Sequence, residues 1–97
     1  MSKVADISDV DGWRSNIDRV DRQIVALLAE RGGLLKQAAR FKKNNPDHEP
    51  LRHAEEVIAK VISLSKELGA NPAVIERVYR AMIVAFINAE LAAHTGH

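Results

Sequence analysis

The stretch "ERGGLLKQAARFKK", residues 30–43, decides how this 97-residue chain folds. Two adjacent glycines, Gly32 and Gly33, sit in it, and each destabilises a helix interior by about 1 kcal/mol relative to alanine. If they end a helix, the chain is a four-helix bundle; if the helix runs through them, the chain has one very long helix and two shorter ones. The apolar phase settles the expectation. Ile17, Val20, Ile24, Leu27 and Leu28 recur at helical spacing before the glycines, and Leu34, Leu35, Ala38 and Phe41 continue the same phase after them. The spacing therefore predicts one helix over residues 9–43, ended by "NNP" at 44–46, where proline removes a backbone donor.

The rest of the chain reads the same way. No segment keeps a period of two, so no strand is expected. A second helix is expected to begin at Glu49 or Pro50 and to end at Leu68, with Gly69 as its C-terminal cap. A third begins with Asn71 as N-cap and Pro72 in its first turn and extends to about Ala93. Long, short and medium helices in one domain over residues 1–97 define an all-α fold. A first helix of that length would measure about 50 Å at 1.5 Å per residue, too long for a compact monomer of this size. Much of its apolar stripe would stay bare unless a second chain covered it, which makes an oligomeric helical bundle the expectation.

Composition narrows the function. Fourteen Lys and Arg against thirteen Asp and Glu leave a formal charge of +1, without the concentrated basic stripe of a nucleic-acid binder. There is no cysteine, which excludes disulfides and thiolate chemistry. His48, His53, His94 and His97 lack metal-ligand spacing, so no metal is expected. The opening "MSKVADISDVDG" is acidic and polar rather than a signal peptide, and no apolar run is long enough to span a bilayer. The expected location is the cytoplasm.

The first helix carries charges where its stripe should be apolar. A cation on an apolar face needs a partner, so the stretch points to an anionic guest. Arg31 and Lys42 are eleven residues apart, close to three turns, which puts them on one face about 16 Å apart. That gap accommodates a ligand of roughly ten heavy atoms between two long side chains that lean toward each other. Arg14 precedes Arg31 by seventeen residues, about 25 Å along the axis and rotated by roughly 100°. One small ligand meets both only if Arg14 comes from the antiparallel helix of a second chain; an exposed ion pair is the plainer alternative for Arg14 alone. In the third helix, "AMIVAFINAELAA" at 81–93 is apolar nearly all round, with Asn88 and Glu90 its only polar side chains. Glu90 is either a solvent-facing residue near the helix end or, if buried, an acid whose neutral form is favoured and which then donates a hydrogen bond.

These residues resemble a known family. "WRSNIDRVDRQIVALLAERGGLLKQAARFKK", residues 13–43, is similar to the first helix of the all-helical chorismate mutases, and the resemblance extends over residues 10–93. It implies an intertwined homodimer in which each active site takes an arginine from the partner's long helix. By position, Arg14 would be that partner arginine and Arg31 the main one, each holding a substrate carboxylate, and Lys42 would donate to the ether oxygen. In the second helix "EPLRHAEE" matches the family pattern at Glu49 and Arg52, with His53 replacing a glutamate. Counting back from "VISLSKELGANPAVI" puts His53 in the arginine's place instead. Arg52 is the favoured reading because Pro50 also fits, with Glu49 as the candidate for the substrate's ring hydroxyl. Phe86 stands where some members have a small hydroxyl residue, and Glu90 where many bacterial members have glutamine; a glutamate there is similar to the fungal enzymes and places Glu90 in the site.

The implied reaction is the pericyclic rearrangement of chorismate to prephenate in aromatic amino-acid biosynthesis, which needs no nucleophile, metal or cofactor. Arginine suits the two carboxylates because its guanidinium binds them bidentately and stays charged. As the ether bond breaks ahead of carbon–carbon bond formation, Lys42 and a protonated Glu90 would stabilise the charge that gathers on oxygen. Three alternatives share these residues. "AARFK" at 38–42 reads equally well with isochorismate pyruvate lyase, and the Arg52–His53 pair leaves room for an aminodeoxychorismate mutase. A helical dimerisation module without catalysis is the third.

Overall fold

The computed structural model describes residues 10–42 and 50–95, and of their side chains those of 10–40 and 53–92. It contains three α-helices: α1 Val10–Lys42, α2 Pro50–Leu68 and α3 Pro72–Thr95. Among the described residues there is no strand, and no helix is long and apolar enough to cross a membrane. The all-α class and the long, short and medium order are those expected from the periodicity.

Helix α1 passes through Gly32 and Gly33 without a break. Thirty-three residues of helical backbone rise about 50 Å. The apolar phase outweighs the glycines because most helical stability comes from an apolar face placed against something, not from intrinsic propensity. That face lies open in the single chain: Trp13, Ile17, Val20, Ile24, Leu27 and Leu34 are all exposed, Leu27 by 62%. A Cβ built on Gly33 meets no atom within 4 Å. Gly33→Ala is therefore expected to raise stability by about 0.5–1 kcal/mol, by denaturant melting. A loss of stability instead would mean that a second chain closes on this position.

Helices α2 and α3 form a separate compact unit, an antiparallel hairpin. Its turn is fixed at both ends by the residues that the sequence marks for it. Gly69 takes φ +76°, and the Ala70 amide donates to the Ser65 carbonyl at 2.8 Å, the bond that closes a helix C-terminus through a left-handed residue. Asn71 then caps α3: its Oδ1 accepts from the amides of Ala73 at 3.0 Å and Val74 at 3.4 Å. Along α2, Ala54, Val57, Ile58, Val61, Ile62 and Ser65 turn one face inward; along α3, Ile75, Tyr79, Met82, Ile83, Phe86 and Ile87 do the same. Ile58 and Ser65 are the most buried of the described residues. Ser65 satisfies its hydroxyl by donating to the Ile62 carbonyl at 2.6 Å, so a small polar residue sits between the helices without an orphaned group.

Candidate active site

Helix α1 carries three of the expected site residues. Because it is unbroken, the spacing of Arg31 and Lys42 is rigid: eleven residues, about 16 Å, within roughly 20° of the same side. Arg31 is half-buried and Arg14 is exposed. Arg14 stays about 25 Å from Arg31 along the same rod and about 100° around it, so α1 of one chain does not bring the two to one small ligand. Lys42 is the last residue of the helix. A hollow along α1 lined by Asp18, Asp21, Arg22, Val25 and Ala26 includes none of the expected residues.

The hairpin carries the others. Arg52 is the third residue of α2, and Glu90 lies five residues before the end of α3. Counted from the Gly69–Asn71 turn, Arg52 is about 25 Å up one arm and Glu90 about 28 Å up the other, so both belong to the end of the hairpin remote from the turn. Glu49 lies outside the described residues. Arg52 and His53, the two rivals for the second-helix role, are separated by one residue and hence by about 100° of rotation. His53 is exposed, with Nδ1 3.9 Å from Glu56 Oε1, too long for a hydrogen bond.

Glu90 is exposed in the single chain, as is the whole run 88–92. The half-buried face of α3 is made by Met82, Ile83, Phe86 and Ile87; Glu90, three residues after Ile87 and four after Phe86, continues that row but is exposed. The apolar surroundings expected of Glu90 are not provided by the described side chains of α2 and α3.

One feature of this unit carries no periodic signal. Arg80 of α3 donates from Nη1 and Nη2 to Oε2 and Oε1 of Glu55 on α2, at 3.0 and 3.3 Å, and from Nε to Glu76 Oε2 at 2.9 Å. This two-bond fork holds the Glu55 carboxyl below the ordinary carboxylate range and raises the Arg80 guanidinium further above its own. Opposite charges twenty-five residues apart on exposed faces leave no pattern that a periodicity reading detects.

Arg31 and Lys42, at a fixed spacing on one side of α1, suit an anionic guest held by charge-assisted hydrogen bonds. The chain belongs to the chorismate mutase type II family, whose model matches residues 13–91. It is 37% identical over 82 residues to a bifunctional chorismate mutase/prephenate dehydratase of Aquifex aeolicus (strain VF5), an alignment that covers 79% of this chain and 22% of that protein. The chain thus spans about a fifth of the length of the curated relative it matches. No solved structure matches it significantly.

Proposed function

We propose that the protein rearranges chorismate to prephenate in aromatic amino-acid biosynthesis, as a cytoplasmic homodimer whose two sites each combine residues of both chains. The observation that carries this reading is the unbroken course of α1 through Gly32 and Gly33, which keeps Arg31 and Lys42 on one side, three turns apart. Arg31 binds one substrate carboxylate bidentately, and Arg14 of the partner chain binds the other. Together they hold the enolpyruvyl arm over the ring, an orientation effect that replaces the entropy the free substrate would lose. The step is intramolecular: the ether carbon–oxygen bond breaks, a carbon–carbon bond forms, and no atom enters or leaves. Lys42 and a neutral Glu90 donate to the ether oxygen as charge develops there. Arg52 and Glu49 address the ring and its hydroxyl.

The exposed stripe on α1 supports the dimer, since a contiguous apolar face of that length on a soluble chain marks an interface. Residues 1–97 then act as one mutase domain that a second copy completes. Purified protein incubated separately with chorismate, isochorismate and aminodeoxychorismate, followed by the loss of enolpyruvyl absorbance, tests the assignment. Turnover of chorismate is expected. Pyruvate and salicylate from isochorismate would make the protein the lyase, and no turnover of any of the three would leave a dimerisation module. A monomer by light scattering would remove Arg14 from the site.

Glu90 yields a separate prediction. A carboxylate oxygen accepts and does not donate, so Glu90→Gln, whose amide donates, is expected to keep or raise kcat/KM for chorismate, whereas Glu90→Ala should lower it by about tenfold or more. Equal kcat/KM in Glu90→Ala and the unaltered protein would take Glu90 out of the reaction.

A further inference from the structure

The Gly69–Asn71 turn pins one end of the α2–α3 hairpin, through the left-handed glycine and the asparagine cap. The other end of the hairpin is where α2 begins and where Arg52 is carried. Of the buried residues of α2, Ser65 lies near the turn and Ile58 at the middle of the helix. On the turn before Ile58, Val57 and Ala54 are half-buried against α3. Among the described side chains of α2 before Ile58 none is fully buried, and helix segments with few buried contacts open at low free energy. The Arg80–Glu55 fork stands at this level. Glu55 follows Arg52 by three residues, so the two share a side of α2. Glu55 is also about 21 Å up its arm from the turn, whereas Arg80 is about 14 Å up the other, an offset that the two long side chains bridge.

The geometry argues against a casual surface pair. An exposed ion pair adds little stability, and Arg80 and Glu55 are 47% and 64% exposed at the side chain. A bidentate fork nevertheless fixes direction as well as distance. Glu76, one turn before Arg80, accepts from Nε and aims the guanidinium at Glu55, so three of its N–H groups are committed.

We propose that Arg80 is a positioning residue: by clamping Glu55 it holds the first two turns of α2 against α3 and so fixes the substrate-binding side chain at the start of α2. The assignment rests on the reading of the site as one for chorismate. It predicts loss of substrate affinity without loss of the chemical step, because Arg80 touches no reacting atom.

The test uses Arg80→Gln, Glu55→Gln, the double variant, and the charge-swapped pair Glu55→Arg with Arg80→Glu, all in the full chain. Each single variant is expected to raise KM for chorismate by about threefold to tenfold with kcat changed by less than about twofold. Amide hydrogen exchange over residues 53–57 should speed up by a similar factor while residues 62–68 stay as protected as before. The double variant should be no worse than either single one, and the swapped pair should recover most of the loss. Equal KM in Arg80→Gln and the unaltered protein, additive single effects, or unchanged exchange over 53–57 would each overturn the clamp. If the unaltered protein turns over no chorismate, the functional reading fails by itself, and the exchange rates still decide whether Arg80 holds α2.

Discussion

Arg31→Ala is expected to lower kcat/KM for chorismate by about a thousandfold, roughly 4 kcal/mol of transition-state stabilisation, while the melting curve barely moves. The two expectations belong together. Arg31 is half-buried on a helix whose apolar neighbours are themselves exposed, so truncation empties no cavity in the single chain. On the proposed reading of the site, the substitution removes a planar donor pair for a carboxylate that must stay in place while the ring and side chain are brought together. Arg31→Lys keeps the charge and loses the fork, so it should recover only part of the activity. A tenfold loss or less in Arg31→Ala would mean that the carboxylate is held elsewhere.

The second expectation concerns chain composition. Arg14→Ala and Arg31→Ala homodimers should each be nearly inactive, yet an equimolar mixture, unfolded and refolded together, should regain about a quarter of the unaltered activity. Half of the dimers are then mixed, and each mixed dimer holds one site with both alanines and one with both arginines. The distance along α1 is what makes the result diagnostic. Seventeen residues of unbroken helix keep Arg14 and Arg31 of one chain about 25 Å apart, so a site that uses both must span two chains. Mixtures as inactive as their parents would show that the two arginines do not meet across two chains, and an active Arg14→Ala homodimer would show that Arg14 serves no site.

The helices were legible because their signals are local. Phase across Gly32–Gly33 predicts α1, and the Gly69 and Asn71–Pro72 signals place the turn to the residue. The end of α3 was less closely placed: the glycine that marks it, Gly96, comes three residues after Ala93, and the helix continues to Thr95. At the site, the same-side placement of Arg31 and Lys42 follows from periodicity alone. Three aspects do not. Whether Arg52 or His53 serves turns on one residue of register between two anchors, and α2 carries both. The exposure of Glu90 depends on what covers α3, which no count along one chain supplies. The Arg80–Glu55 fork joins residues distant in sequence on polar faces, where hydrophobic patterning is silent.

The rigidity of α1 limits where this chain tolerates a change in length. One residue inserted between Arg31 and Lys42 would swing the lysine about 100° around the axis and carry it off the shared side, whatever the inserted residue was. An insertion in the segment at 43–49 leaves that pair untouched. Length variation among relatives is therefore expected to collect between α1 and α2, where it shifts numbering without shifting the ruler on which the two cations are mounted.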